Sequence, residues 1–101
     1  MELTNIREIF RNKDKFADKE VTIGGWVRSN RNSKNFGFIV VNDGTFFEPV
    51  QVVYSDVLEN FDDVEKLNVG AAIIVTGKLV ATPGTKQPFE IQAEKIDIEG
   101  V

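Results

Sequence analysis

The chain is 101 residues long, the length of one domain that can bury a hydrophobic core of its own. It is 42% hydrophobic and 28% charged, as a folded domain is, and its net charge of -4 argues against a nucleic-acid ligand, because phosphates are bound by lysine and arginine. The absence of cysteine and histidine excludes disulfides, thiol nucleophiles, thiolate zinc sites and imidazole bases. Only carboxylates are left as metal ligands, and we expect no metal site.

A short helix and a long strand are the first predicted elements. The helix runs from Thr4 to about Asn12, with Thr4 or Asn5 as its cap. The stretch EVTIGGWVRS, residues 20–29, alternates inward apolar positions with outward ones and predicts the first strand, in which the paired glycines mark a bend. The apolar runs of the chain, such as AAIIV, are too short to cross a bilayer, so we expect a cytoplasmic protein with no membrane partner.

The next segment predicts two strands joined by a turn. The stretch FGFIVVNDGTFFEPVQVVYS, residues 36–55, contains a tight-turn signal from Asn42 to Thr45, which favours an antiparallel hairpin. Pro49 has no amide hydrogen to donate, so we expect it at a strand start or at a bulge.

A helix is predicted after the third strand. The stretch SDVLENFDDVEKLNVG, residues 55–70, has Ser55 as a cap and Gly70 as a stop, which together allow a helix of about twelve residues. Its apolar face comprises Val57, Leu58, Phe61, Val64 and Leu67. Its acidic face, which we interpret as solvated, comprises Asp56, Glu59, Asp62, Asp63 and Glu65.

Two strands complete the pattern. They are residues 71–81 and 89–98, and the second of them changes the parity of its apolar residues between Ala93 and Ile96, which predicts a bulge or bend. Five strands with a helix between the third and fourth predict an all-β OB-fold, a five-stranded Greek-key barrel with helical additions. An SH3-like barrel normally lacks that helix, and an α/β sheet needs a helix after nearly every strand.

We expect a single OB-fold domain over residues 1–101. Within it, residues 1–15 form an N-terminal helical extension, residues 19–98 form the barrel, and residues 99–101 begin a linker.

Alternation along the strands predicts which side chains face outward. If Ile39 and Val41 fill the barrel, Phe36 and Phe38 point away from it, and the same reasoning turns Gln51 outward on strand three and Glu90 outward on strand five. Three cations without an acid lie between residues 28 and 34. The candidate nucleic-acid-binding residues are Arg28, Arg31, Lys34, Phe36, Phe38, Gln51, Lys86 and Glu90. A bulge that inverts the parity would instead place Phe36 or Phe38 in the core.

The outward side chains have the chemistry that a single-stranded nucleic acid requires. A phenylalanine ring stacks on an unpaired base, which is worth roughly 1 to 3 kcal/mol per base, and cations neutralise the phosphates. The amide of Gln51 can both donate and accept, as a uracil edge requires, and the carboxylate of Glu90 can accept two hydrogen bonds from guanine.

These residues also lie in recognisable motifs. GGWVRSNRNSKNFGFIVVNDG, VQVV and KQPFEIQAEKIDIEG resemble the N-terminal anticodon-binding domain of bacterial-type asparaginyl-tRNA synthetases, class II enzymes related to the aspartyl and lysyl enzymes. The resemblance implies that Phe38 stacks on the central uridine of the anticodon and that Gln51 hydrogen-bonds the same base. It also implies anticodon contacts for Arg31 and Glu90. Because the carboxylate of Glu90 can accept two hydrogen bonds from guanine, we expect the first-position guanine to be its target. We assign the third position to the loop from Thr82 to Gln87.

The resemblance further implies a partner, the anticodon stem-loop of tRNA(Asn) with the sequence GUU. Members of the family continue into a catalytic domain that binds ATP and Mg²⁺ and are homodimers, so we expect no cofactor and no aminoacylation activity for these 101 residues alone.

Other functions remain open. They are a general single-strand binder, the anticodon domain of the related aspartyl enzyme, and a protein- or sugar-binding OB module. A free-standing enzyme is disfavoured because no spacing of Asp and Glu residues picks out a catalytic pair.

Overall fold

The computed structural model describes residues 3–82 and 89–100. Lys86, and most of the loop to which third-position recognition was assigned, lie outside the described residues. The elements in chain order are α1 (Ile6–Arg11), α2 (Lys13–Phe16), β1 (Glu20–Asn32), β2 (Phe36–Asn42), β3 (Val50–Ser55), α3 (Phe61–Val64), β4 (Ala72–Ala81) and β5 (Phe89–Gly100).

The five strands close into a barrel in the order β1-β2-β3-β5-β4. Neighbouring strands are antiparallel except β3 and β5, which run parallel where Val52 pairs with Ile91 and Val53 with Gln92. The pairing of β1 with β4 closes the barrel and removes the unpaired edges that an open sheet would expose. The chain therefore has the OB-fold that its sequence predicts.

The core lies inside the barrel and follows the predicted alternation. Ile39 and Val41 on β2, and Val50 and Val52 on β3, are fully buried. Phe89 and Ile91 on β5 are buried too, as are Val21, Ile23 and Val27 on β1. The residues between them on each strand are more exposed, so the barrel has one apolar inner face and one outer face that is available to a ligand.

The β2–β3 connection holds the N-terminal helix. Asn5 caps α1 by accepting a hydrogen bond from the amide of Glu8 at 2.8 Å, so this prediction is confirmed. The carboxylate of Asp43 accepts from the amide of Ile6 at 2.8 Å, next to the amide of Arg7, which donates to a threonine hydroxyl of the same connection. This connection runs from residue 43 to residue 49 and is longer than the predicted tight turn, because its polar side chains bind the first turn of α1.

The predicted helix over residues 55–70 is wrong in length, since only the four residues of α3 are helical. Two hydrogen bonds that the segment donates to other parts of the chain explain the difference. The amide of Asp56 donates to the carbonyl of Asn35 at 2.9 Å, and the side chain of Asn60 donates to the carbonyl of Ile96 at 2.9 Å. Val57, predicted to face the core, is 81% exposed as a result.

The acids of this segment lie largely at the surface. Asp56, Glu59, Asp62 and Asp63 are exposed, as the interpretation of a solvated acidic face predicts, and Glu65 is half-buried.

The predicted irregularity in β5 is a bulge at Glu94. Thr76 pairs with Lys95 and Gly77 pairs with Ala93, so Glu94 has no partner on β4. The bulge restores inward-facing apolar residues on both sides of it. At this point β4 passes so close to β5 that any side chain at position 77 would collide with the backbone of Gln92.

This close approach predicts that Gly77→Ala destabilises the domain by roughly 1 to 3 kcal/mol, because a backbone carbonyl cannot move aside as a flexible side chain can. Gly100→Ala is the matched control, since a Cβ at position 100 would meet nothing nearer than 3.9 Å. Urea denaturation measures both free energies of unfolding. Equal stability of the Gly77→Ala variant and the unsubstituted domain would contradict the close approach.

Candidate nucleic-acid interface

Phe38 lies on the outer surface at the centre of a row of side chains. On β2 it pairs with Arg31 on β1 and with Val53 on β3. Directly paired residues of neighbouring strands point to the same face, so these three side chains form one continuous outer row. The ring of Phe38 is half-exposed, and that of Phe36 is 44% exposed. Neither ring fills the barrel, so the alternative with inverted parity is excluded.

The two rings support each other. Their centroids are 5.6 Å apart and their planes meet at 87°, the edge-to-face arrangement that aromatic pairs favour. Phe36 therefore limits the rotation of Phe38 while leaving it partly open to solvent. A shallow depression of about 250 Å³ runs along this pair, lined by Arg31, Asn32, Ser33, Phe36 and Phe38.

A bulge in β1 puts Arg31 in this row. Val27 pairs with Val41 and Ser29 with Val40, so Arg28 between them has no partner on β2. Strict alternation from Val27 would turn Arg31 into the barrel, whereas the extra residue shifts the phase and turns it outward. Arg28 is exposed at the bulge itself, so both arginines are accessible, as predicted.

The same phase shift turns Asn30 inward, where it meets Tyr54. The tyrosine hydroxyl donates to Oδ1 of Asn30 at 2.9 Å, and Nδ2 of Asn30 donates to the carbonyls of Val64 at 3.0 Å and Leu67 at 3.2 Å. These bonds tie the inner face of β1 to the end of α3.

A second asparagine ties the adjacent residue of β1 to the same segment. Nδ2 of Asn32 donates to the carbonyl of Glu65 at 2.7 Å. We call Asn30 and Asn32 the asparagine clamp, since they bind the α3 segment on either side of Arg31. The clamp was not predicted from the sequence, although the spacing of two asparagines around an arginine is a visible signal.

Gln51 and Glu90 extend the outer surface beyond Phe38. Gln51 pairs with Val40 and is therefore a diagonal neighbour of Phe38 on the adjacent strand. Such diagonal neighbours lie roughly 7–8 Å apart across the sheet, within reach of a long side chain. Glu90 precedes Ile91, which pairs with Val52. The parallel register places Glu90 beside Gln51. Both side chains are half-buried, so β2, β3 and β5 bring the predicted residues together on one face.

The cations at this face are not engaged by acids. Lys34 is exposed in the β1–β2 loop, which is closed by a hydrogen bond of 2.8 Å from the amide of Ser33 to the carbonyl of Phe36. Among residues 3–82 and 89–100, the one ion pair joins Lys95 and Asp97, with 3.7 Å between Nζ and Oδ2. The charged groups of Arg28, Arg31 and Lys34 are therefore accessible to phosphates.

Two other kinds of site are absent from the described residues. No three carboxylate side chains there come together in an arrangement that could hold a metal ion. No helix in the same part of the chain is long and apolar enough to span a membrane. The chemistry that this face offers is stacking on the rings, hydrogen bonding to an amide and a carboxylate, and pairing of cations with phosphates.

A closed five-stranded barrel that presents rings, an amide and free cations on this face is an OB-fold nucleic acid binding domain. The comparisons with known proteins agree, because the model of the tRNA anti-codon family of OB-fold nucleic acid binding domains matches residues 21–99. The chain belongs to this family.

Relatives of this chain confirm the resemblance to asparaginyl-tRNA synthetases. The chain is 52% identical over 101 residues to the asparagine–tRNA ligase of Bacillus cereus and 49% identical over 100 residues to that of Clostridium tetani. These alignments cover 100% and 99% of this chain, which spans 22% of the length of either relative.

Solved structures agree with these relatives. The structure of asparaginyl-tRNA synthetase from Pyrococcus horikoshii complexed with asparaginyl-adenylate matches 99% of this chain and 23% of its own, with a TM-score of 0.84 and 25% identity.

The buried position of the Tyr54 hydroxyl, which the clamp residue Asn30 contacts, can be tested by titration. Burial is the largest cause and raises the pKa of Tyr54; Asn32 opposes it in part, and the carboxylate of the neighbouring Glu65 raises it. Because the chain contains one tyrosine, ultraviolet absorbance of the tyrosinate reports this group alone. We expect the native domain to titrate above the ordinary value of about 10.

The sign of the stability effect follows from the raised pKa. The stabilising contribution of Tyr54 is fully present at pH values below the pKa that its hydroxyl has in the unfolded chain. The free energy of unfolding falls as the pH rises above about 10, because the unfolded chain loses this proton more easily. The control is the same titration in concentrated urea. A native midpoint at or below the midpoint in urea would contradict the buried position of the hydroxyl.

Proposed function

We propose that this domain binds the anticodon loop of tRNA(Asn), with the sequence GUU, as the recognition domain of an asparagine–tRNA ligase. The observation that carries the proposal is the outer row in which Arg31 and Phe38 are paired across β1 and β2, with Gln51 diagonal to the ring. It brings together a stacking surface, a cation and a group that reads a base edge. The similarity to asparagine–tRNA ligases over the whole chain supports the choice of tRNA.

The central uridine of the anticodon stacks on Phe38. The edge-to-face contact with Phe36 restrains the ring before the RNA arrives, so less conformational entropy is lost on binding. The amide of Gln51 then donates to a carbonyl of the uracil and accepts from its N3–H group. Cytosine at the same position would lack that donor, and a purine would be too large for the same contacts.

The first-position guanine binds to Glu90, whose carboxylate accepts from N1–H and from the exocyclic amino group. Arg28, Arg31 and Lys34 neutralise the phosphates on the β1 side of the bases. Phosphates repel a carboxylate, so Glu90 lowers affinity for RNA in general and favours a loop that presents guanine beside uridine. For the third position, the loop from Thr82 to Gln87 with Lys86 remains the proposed contact on the basis of the resemblance.

The longer protein to which this domain belongs is proposed to be an ATP-dependent asparagine–tRNA ligase, homodimeric and cytoplasmic, in which ATP and Mg²⁺ bind outside these 101 residues. The role of the domain is to hold the anticodon loop while the acceptor end reaches the catalytic domain. Two findings support the proposal that this domain binds the anticodon loop and that catalysis takes place outside it. They are the names of its relatives and the 22% share of their length that the chain spans.

Titration with an anticodon stem-loop tests the proposal. We expect tighter binding of a GUU hairpin than of GUC or CCC hairpins, with affinity decreasing at higher salt because of the phosphate contacts. Phe38→Ala should weaken binding of the GUU hairpin roughly ten- to a hundredfold through the loss of stacking. Phe47→Ala is the matched control, since this ring is 81% exposed in the β2–β3 connection.

Equal binding of the three hairpins would overturn anticodon recognition and leave a general single-strand binder. Equal losses for the Phe38 and Phe47 variants would overturn the stacking role. Thermal unfolding of both variants shows that any loss of binding occurs in folded protein.

A further inference from the structure

A groove opens between β3 and β5 next to the proposed anticodon surface. The two strands pair at Val52 with Ile91 and at Val53 with Gln92, and the bulge of β5 at Glu94 follows directly after these pairs. The resulting groove has a volume of about 320 Å³ and is lined by Val53, Ser55, Lys78, Gln92 and Glu94, among others. It is therefore open and large enough to receive a nucleobase, with apolar as well as polar side chains along it.

The groove continues the outer row that contains Phe38. Phe38 pairs with Val53, Val53 with Gln92, and Gln92 with Lys78, so the row runs from β2 across β3 and β5 to β4. Directly paired residues share a face, which makes Gln92 and Lys78 part of the same surface as the ring. Gln92 is also two residues beyond Glu90 on the same strand and points to the same side.

The ammonium group of Lys78 is accessible to a phosphate. Within the described ranges 3–82 and 89–100, no carboxylate oxygen lies within 4.0 Å of it, since the ion pair found there joins Lys95 and Asp97. Glu20 pairs with Lys78 in the strand register, and the side chain of Glu20 raises the pKa of Glu94 while the charge of Lys78 lowers it. Lys78 is exposed and forms no ion pair with either acid, so its ammonium group remains accessible.

The direction of the RNA follows from the proposed function, on which this inference rests. If the central base stacks on Phe38 of β2 and the first base meets Glu90 of β5, the strand runs from 3′ to 5′ as it passes from β2 to β5. The nucleotide immediately 5′ of the anticodon must then continue toward β4. Lys78 lies on β4, and its partner Gln92 is two residues beyond Glu90 on β5.

We infer that the groove between β3 and β5 is a subsite for the nucleotide immediately 5′ of the anticodon. The amide of Gln92 hydrogen-bonds the edge of its base, and the ammonium group of Lys78 binds its phosphate. The subsite thereby extends recognition from the three anticodon bases to the loop that presents them.

A double-mutant cycle between protein and RNA tests the subsite. The RNA probes are the GUU stem-loop and the same hairpin with an abasic nucleotide immediately 5′ of the anticodon. Gln92→Ala should weaken binding of the first probe by about three- to tenfold, as expected for one hydrogen bond, and should not change binding of the abasic probe. Lys78→Ala should reduce the slope of log affinity against log salt by about 1, as expected for one phosphate contact.

The matched control for Lys78→Ala is Lys13→Ala, which removes the same charge from α2. We expect Lys13→Ala to leave the salt slope unchanged. Equal effects of the two lysine variants, or equal effects of Gln92→Ala on both RNA probes, would overturn the subsite.

The variant Phe38→Ala separates this result from the proposed function. If it weakens binding while Gln92→Ala and Lys78→Ala have no effect, the subsite is wrong and anticodon recognition stands. If Phe38→Ala has no effect either, the proposed function fails as well.

Discussion

The extra residue in β1 is the constraint on which the nucleic-acid surface depends. Because Arg28 has no partner on β2, the strand changes phase, and Asn30 turns into the barrel while Arg31 turns out beside Phe38. The partly buried hydrogen bond from the Tyr54 hydroxyl to Asn30 fixes this phase, since slipping back by one residue would break it and leave the hydroxyl of the buried tyrosine without this acceptor. The core and the binding surface are therefore specified by the same pairing.

This arrangement explains how an acidic domain can present a basic surface. The asparagine clamp binds carbonyl groups of the α3 segment and so anchors the acidic stretch of residues 55–70 to the inner side of β1, while Arg31 between the clamp residues points to the opposite face. The basic side chains of this surface are Arg28, Arg31 and Lys34. None of them forms an ion pair with a carboxylate among residues 3–82 and 89–100, so their charges remain available to phosphate. The acids disfavour polyanions that make no specific contacts, so discrimination depends on stacking and hydrogen bonds.

The sequence predicts most of the fold and part of the site. Alternating apolar residues identify the barrel strands, and the bulge at Glu94 is visible because apolar residues on both sides of it change parity. The bulge at Arg28 is hidden, because residues 28–32 are all polar and give no parity to read. The predicted helix over 55–70 is too long for another reason: hydrophobic periodicity gives no sign of hydrogen bonds that the segment donates to distant groups, such as the carbonyl of Asn35. The role of Tyr54 is equally hidden, because its partner Asn30 faces inward only after the bulge at Arg28.

Stacking of Phe38 on the central base is most directly measured by NMR of the domain bound to the GUU stem-loop. The outer row predicts nuclear Overhauser effects between the ring protons of Phe38 and H5 and H6 of the central uridine, together with upfield shifts of these uridine protons caused by the ring current. Uridine resonances that keep their free positions in the bound hairpin, with no Overhauser effect to Phe38, would contradict the proposed contact.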